Sequence, residues 1–366
     1  MNTSIIIPVF NNYLYTKSCI LSLQRQNTFP RNEIIIVDNN STDQTTNFLS
    51  TLTTFNNFKI IKNHSNLGFA KACNQASKIA KSENLIFLNN DTEVTHGWVE
   101  GLSRCILSDR RIGVVGCKLL YPDNTVQHAG VAFSQVKVHH IYRNFYPTHP
   151  AVNKHREFQA VTAACMLVPR ELFLSLGGFD ESFINGFEDL DFCFRARSKG
   201  FKVMYTPESV VIHHESKTPG RHDHHAHNAR LFASRWLPSV DHDLDKIYAE
   251  DGLRRHVEHE KEIGGKWLED SNTNHFWNQA RSLVVSGDYV EAEKFFGRAL
   301  SFNPYDVRRL SIAEELSDLY VKWGRIPDAQ ACLDAIIQVT PSKHLLQKKT
   351  LISAMETSSQ KDPSQK

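Results

Sequence analysis

The chain has 366 residues, 41% of them hydrophobic and 22% charged, with 42 Lys and Arg against 40 Asp and Glu. At about 150 residues per domain that length predicts two to three domains, and the composition excludes a largely disordered chain, a collagen-like repeat or a disulfide mini-scaffold. A formal charge of +2 without a basic block also excludes a protein held to nucleic acid mainly by phosphate neutralisation.

The opening MNTSIIIPVF lacks a basic leader region, and its apolar run stops at Pro8, so no signal peptide is expected. Four short runs follow at regular intervals: Ser4–Pro8, Glu33–Asp38, Phe58–Lys62 and Asn84–Asn89. Each is apolar on consecutive positions, as strands of a parallel sheet buried on both faces are. Between them Tyr15–Gln26, Asp43–Thr53 and Ala70–Lys81 are long enough for crossover helices, and the β-α-β-α-β order predicts a doubly wound α/β sheet. Ligands of such sheets sit beyond the C-terminal strand ends, near the switch in strand order.

From about 112 to 236, glycine-marked strands (GVVGCKLLY, QHAGVAF, FKVMYT, SVVIHH) alternate with helices at Arg170–Leu176 and Glu188–Ser198. This reads as an antiparallel or mixed extension of the same sheet, making one domain over 1–238. A charged helical connector is expected over 239–273. Farther on, Gly287, Tyr289, Ala292, Ala299, Leu300 and Pro304 recur as Gly324, Ile326, Ala329, Ile336, Ile337 and Pro341, all displaced by 37 positions. A turn glycine, a helix with apolar residues at helical spacing and a stopping proline describe a helix-turn-helix repeat, which resembles the tetratricopeptide repeat. Two repeats plus a capping helix over 274–357 leave faces to cover, against the first domain, a protein partner or a second copy. A disordered tail is expected over 358–366.

Seven cysteines stand singly with no C-x-x-C pair, which reads as buried thiols in a reducing compartment. No stretch approaches the ~20 apolar residues of a membrane span. The expectation is a cytoplasmic chain, at most peripheral at the inner face of a membrane.

Five polar clusters carry the chemistry. In IIIVDNNSTD, Asp38 closes the second strand and can accept from a nucleobase or ribose, with Asn40 beside it; Ser41 and Asp43 read equally as helix caps. In NLGFAKACNQA, Asn66, Gly68, Lys71 and Asn74 surround a helix start that favours an anion, although a plain βα turn looks the same. In FLNNDTEV, Asn89, Asn90 and Asp91 crowd oxygen donors at a strand end, which suits Mg²⁺ or Mn²⁺ or else an Asn-Asp turn. In FEDLDF, Glu188, Asp189 and Asp191 open a helix, where the macrodipole favours acids. Asp189 and Asp191 fall about 200° apart around it, so only one can face a cleft as a general base. Finally, His213 ends a strand, and six histidines fall between 213 and 227. Without cysteines or tight spacing these read as a solvated loop rather than a zinc site.

Together these segments resemble the family-2 glycosyltransferases of the GT-A fold over roughly 3–236, among them bacterial members that make O-antigen and related surface glycans. The phrases that carry it are SIIIPVFNN, IIIVDNNSTD, NLGFAKACNQA, FLNNDTEV, KLLYPDNTVQHAGV, GGFDESFINGFEDLDFCFRA and HHESKTPG. The resemblance implies an inverting, metal-dependent transfer of a sugar from a nucleotide-diphosphate donor (UDP or dTDP) to a glycan, lipid-linked or protein acceptor. It implies Asp189 as base, Asp91 and His213 as ligands of Mn²⁺ or Mg²⁺, and Asp38 on the nucleobase with Pro8, Val9 and Asn11 lining that pocket. Ala163, Cys165, Asp180 and Glu188 are expected around the sugar and acceptor. The chain departs from the family pattern at Asn89 (Asp elsewhere), at Cys73 (Arg in many members, its diphosphate contact here left to Lys71) and at Pro219 (commonly Arg). The rival readings are a catalytically lapsed adaptor working through its helical repeats and a nucleotidyltransferase; the latter normally carries an N-terminal glycine-rich phosphate loop, which this chain lacks.

Overall fold

The computed structural model describes residues 2–26, 32–135, 137–215, 223–256, 268–339 and 343–359. Pro219, Pro341 and the tail 360–366 lie outside the described residues. The chain divides into two compact units, Met1–Leu244 and Asp245–Lys366.

The first unit is built on one mixed sheet. In chain order its strands are β1 (Thr3–Val9), β2 (Glu33–Asp38), β3 (Phe58–Lys62), β4 (Asn84–Leu88), β5 (Thr92–Val94), β6 (Ile112–Leu120), β7 (Val126–His128), β8 (Val131–Phe133), β9 (Val138–His140), β10 (Arg156–Glu157), β11 (Cys165–Pro169) and β12 (Lys202–His213). The helices are α1 (Tyr13–Gln24), α2 (Thr45–Leu52), α3 (Phe69–Ile79), α4 (Trp98–Ser108), α5 (Arg170–Ser175), α6 (Glu188–Ser198) and α7 (His225–Trp236). The sheet runs β10-β12-β6-β11-β4-β1-β2-β3, with β5 on β12 and β7 on β6, while β8 and β9 pair apart. This is the doubly wound mixed sheet that the alternation of elements predicts.

Strands β3, β2, β1 and β4 are parallel, and the order reverses between β1 and β4. β11 runs antiparallel to both β4 and β6. Ile5, Ile7, Ile34 and Ile36 pack into the core on one face of the sheet, and Ile6, Ile35, Val37 and Phe87 into the core on the other. β1, β2 and β4 therefore read as unbroken apolar runs. β3 departs from the expected double burial. It is the edge strand, its middle residues are half-buried and Lys62 is exposed, and lysines on an edge discourage further pairing.

The stretch expected as a connector, 239–273, has its residues 257–267 outside the described residues. Its start packs on the first unit, where Asp243 Oδ1 accepts from Phe133 N (2.8 Å) and Asp241 N donates to Gln159 Oε1 (2.8 Å). Its later part belongs to the second unit, where Leu253–Arg255 pairs antiparallel with Leu268–Asp270.

The second unit carries helices Ser271–Ser286, Tyr289–Phe302, Arg309–Lys322, Ile326–Val339 and Lys343–Ser359. Gly287 (φ 84°) and Gly324 (φ 77°) sit in the left-handed region at the turns after the first and third of these helices, where glycine has no Cβ penalty. Ala292 and Ala299 are buried in the first hairpin, as are Ala329 and Ile336 in the second, and Leu345 and Ile352 of the last helix close over the second hairpin's core.

Candidate active site

The C-terminal ends of β1 and β4 open into a cleft of about 840 Å³ at the point where strand order reverses. Pro8, Val9 and Phe10 form one wall, Asn89, Asn90 and Asp91 a second, and Gly68 and Phe69 at the start of α3 a third. Thr162, Ala163, Ala164, Glu188 and Asp189 complete it from the sheet's far half. A second cavity of about 1190 Å³ lies beyond, lined among others by Gln127, His140, Arg143, His213, Glu215 and His225. Thr162, Asn185, Glu188 and Asp189 border both spaces.

Asp189 is fixed at this shared wall. Its Oδ2 accepts from Ala163 N (3.0 Å) in the segment leading into β11, and its Oδ1 from Leu190 N (2.9 Å). Asp191 turns the other way, as helical geometry requires. It is buried against Arg195 Nε (2.7 Å) and Trp236 Nε1 (2.9 Å) and serves the fold. Glu188 Oε2 accepts from Gly186 N (2.6 Å). Ahead of it Asn185, Gly186 and Phe187 have φ of 51°, 151° and 72°, three consecutive residues in a region that Phe rarely occupies. Asn228, buried in α7, holds this kink: its Oδ1 accepts from Ile184 N, and its Nδ2 donates to the carbonyls of Ile184 and Gly186.

His213 ends β12 and lies 3.1 Å from Asp91 Oδ1 through Nε2. Asn89 Nδ2 is 3.3 Å from the same nitrogen. The donor set is therefore one carboxylate and one imidazole, with the Asn89 amide turned nitrogen-first toward the imidazole. Octahedral ligands at ~2.1 Å place neighbouring donors about 3 Å apart, so the Asp91–His213 spacing and these residue types fit a divalent cation that completes its shell with substrate oxygens and water. Among the described residues no group of three His, Cys, Asp or Glu side chains converges to hold a metal by itself. Of the later described histidines, His214 pairs with Glu93 (2.9 Å), His224 is the N-cap of α7, and His225 lines the second cavity.

Four expected contacts are corrected by where the side chains point. Asn74 is buried in α3 and faces away from the cleft, its Oδ1 accepting from Phe179 N and its Nδ2 donating to Phe179 O and Glu181. Cys165 lies in β11 within the core beside Leu88 and Cys117. Asp180 is tied to Arg235 (2.6 Å). Lys71 is exposed and lines a neighbouring depression with Glu181 and Ile184 instead of the cleft.

Asp38 is buried behind the cleft, with Oδ1 accepting from Ser41 N (2.8 Å) and Oδ2 from Thr46 Oγ1 (2.9 Å). A carboxylate has further lone pairs, but these two bonds shape the β2 loop first. Asn11 is half-buried and is not among the residues lining the cleft, its Oδ1 accepting from Thr42 N (2.7 Å), and Asn40 is exposed at φ 69°. Asn66 Oδ1 accepts from Gly68 N (3.0 Å), setting the turn into α3. Asp43 caps two helix starts, accepting from Tyr13 N (3.0 Å) and Thr45 N (2.9 Å), while Ser41 Oγ accepts from Asn11 N instead of capping α2.

Gln127, Thr162 and Asn185 were not singled out in the sequence. Asn185 carried a signal, since Asn-Gly ahead of an acidic helix start favours a left-handed turn. Its Oδ1 accepts from Phe69 N (3.1 Å), joining that turn to α3.

Residues 4–176 match the family model described as glycosyl transferase family 2, and this stretch is a glycosyltransferase family 2 domain. More particularly, the chain is 35% identical over 225 residues to the O-antigen biosynthesis protein RfbC of Myxococcus xanthus, covering 58% of this chain and 17% of that protein. It is 25% identical over 231 residues to the N-acetylglucosaminyl-diphospho-decaprenol L-rhamnosyltransferase of Mycobacterium tuberculosis, covering 57% and 74% respectively. The aligned stretch thus spans only about a sixth of the Myxococcus relative. The structure of the mannosyltransferase PcManGT from Pyrobaculum calidifontis, in complex with GDP-Man and Mn²⁺, matches with a TM-score of 0.50 at 15% identity, over 98% of this chain and 88% of that one. At that identity the likeness concerns the fold. Among the described residues no helix is long and apolar enough to cross a membrane.

Proposed function

We propose that the first unit transfers a sugar with inversion from a UDP- or dTDP-type donor to an acceptor hydroxyl, in the assembly of a bacterial surface glycan or a glycosylated protein. The observation that carries this reading is that the Asp189 carboxylate borders both cavities. A donor in the cleft at the strand switch and an acceptor in the second cavity would meet at that group. Asp189 removes the acceptor proton as the oxygen attacks the anomeric carbon from the face opposite the diphosphate. Its bonds from Ala163 N to Oδ2 and from Leu190 N to Oδ1 fix the carboxylate at the wall of both cavities. Pro8, Val9, Asn66 and Gly68 flank the donor, and the start of α3 favours its phosphates. Asp91 and His213, with Asn89 beside them, would hold Mn²⁺ or Mg²⁺, which when bound neutralises charge on the departing diphosphate.

The two helical hairpins form a tetratricopeptide-like platform for a protein partner or a second copy. The protein works in the cytoplasm, at the membrane face where lipid-linked acceptors reside.

The test is a panel of nucleotide sugars and glycan acceptors with and without Mn²⁺, followed by NMR of the product anomer. Asp189→Asn is expected to lower turnover by ~10²–10⁴ while donor affinity stays within a few fold. Full turnover by that variant, or a retained anomeric configuration, refutes the assignment. No transfer from any donor, with a protein captured by the helical unit, favours the adaptor instead.

A further inference from the structure

We infer that Gln127 is the positioning residue that makes His213 a metal ligand, by fixing which ring nitrogen carries the proton. This rests on the reading of Asp91 and His213 as the cation site. β7 is only three residues long and pairs with β6, which also carries β12, so Gln127 is brought beside the end of β12 where His213 sits. Gln127 is 4% exposed. Its Nε2 donates to the His213 backbone carbonyl (3.0 Å), and its Oε1 lies 2.6 Å from His213 Nδ1.

The two contacts determine each other. A carbonyl oxygen only accepts, so the amide nitrogen must face it and the amide oxygen must face the ring. An amide oxygen also only accepts, so Nδ1 must carry the hydrogen. In the neutral imidazole this leaves Nε2 with its lone pair on the side of Asp91 Oδ1 and the Asn89 amide. That lone pair, 3.1 Å from Asp91 Oδ1 and 3.3 Å from the Asn89 amide nitrogen, is the one a cation held by Asp91 would take. Metal-binding histidines are generally oriented in this way through their distal ring nitrogen, and loss of the orienting group costs 10- to 100-fold in metal affinity. Here both ends of one side-chain amide grip the ring and its own backbone, which fixes the rotation of the ring as well as its tautomer.

The experiment uses the full chain with Mn²⁺ alone as the probe, read by electron paramagnetic resonance, comparing the parent, Gln127→Leu, Gln127→Glu and His213→Ala. Gln127→Leu is expected to weaken Mn²⁺ binding ~10- to 100-fold and to diminish the ¹⁴N coupling between ring and metal. Gln127→Glu keeps an acceptor for Nδ1–H but loses the donor to the His213 carbonyl, and is expected to bind Mn²⁺ more tightly than Gln127→Leu while falling short of the parent. Separately, ¹⁵N NMR of metal-free parent protein is expected to show His213 as the tautomer protonated on Nδ1. Parent-like Mn²⁺ affinity and ¹⁴N coupling in Gln127→Leu, when His213→Ala has lost both, overturns the role of Gln127 while leaving the cation site standing. An Nδ1-unprotonated neutral ring in the parent overturns it even if Gln127→Leu does not fold. Equal, negligible Mn²⁺ binding by parent and His213→Ala overturns the cation site, and with it the role of Gln127 in metal binding.

Discussion

Two carboxylates one helical turn-half apart in α6 are assigned opposite duties, and replacing each separates them. Asp191→Ala removes the acceptor for Arg195 Nε (2.7 Å) and Trp236 Nε1 (2.9 Å) from a side chain 1% exposed. Arg195 keeps its bonds to the carbonyls of Leu176 and Gly178, and Arg235 keeps Asp180, so the region stays assembled but with a partly buried cation uncompensated. Breaking a buried pair in this way costs ~3–5 kcal/mol. For a unit of 244 residues the unfolding entropy at ~2.1 cal/mol/K per residue is about 0.5 kcal/mol/K, so the melting temperature should fall by ~6–10 °C. Asp189→Asn keeps one oxygen for the Ala163 and Leu190 amides and sits at a cavity wall, so its melting temperature should fall by no more than ~3 °C, given ~1 kcal/mol per hydrogen bond. Scanning calorimetry of the full chain resolves the units if they melt apart. An Asp191→Ala transition within 3 °C of the parent by the same scale, or an equal fall in Asp189→Asn, refutes the division of labour.

Three further outcomes follow from the same geometry. Asn228→Ala deletes three hydrogen bonds to Ile184 and Gly186, and should cost about 3 kcal/mol and raise KM for the acceptor more than for the donor; unchanged melting and kinetics would show that the kink holds itself. Burial opposes ionisation of Glu33, but hydrogen bonds from Lys59, Ser4 and the Lys81 amide outweigh it and hold its carboxyl below the usual value of 4.5. A lowered folded value contributes stability above about pH 4.5 that fades as pH falls through the folded value, so the stability gap between parent and Glu33→Gln should be full near pH 7 and close in acid; a gap independent of pH contradicts it. Burial pushes the thiols of Cys19 and Cys193 up to about 12 and those of Cys105 and Cys332 up to about 11, so an aromatic disulfide reagent at pH 8 should label these four slowly in the native chain and at once in denaturant; rapid native labelling of them counts against the packing described.

How much of this was readable beforehand depended on whether a residue's neighbours in sequence or in space decide its role. β2 and α6 fall on the predicted bounds because apolar runs and acidic helix starts are local signals. The opposite facing of Asp189 and Asp191 also follows from 3.6 residues per turn. Side-chain direction across a loop does not. Asn74 and Asp180 have residue types suited to a sugar site, yet their partners are Phe179, Glu181 and Arg235, set by how the 177–187 segment folds back. Cys165 was misread because a strand next to the cleft has one face toward the core, and its register places Cys165 opposite Leu88. Gln127 lies within a phrase that carries the resemblance, KLLYPDNTVQHAGV, but nothing local singles it out, because its partner His213 arrives 86 positions later in the chain. β3 looked like its neighbours in sequence; only the order of the finished sheet makes it an edge.

The reversed direction of β11 has a consequence for how such a domain diversifies. Parallel strands deliver to the cleft the peptide that leaves them, whereas a strand inserted head-to-tail delivers the peptide that enters it, here Thr162 to Ala164. The long excursion between β9 and β11 therefore returns straight to the cleft wall that carries Asp189. Under the proposed function, a change in that excursion would reach the wall shared with Asp189 before it reaches the ends of β1 and β4.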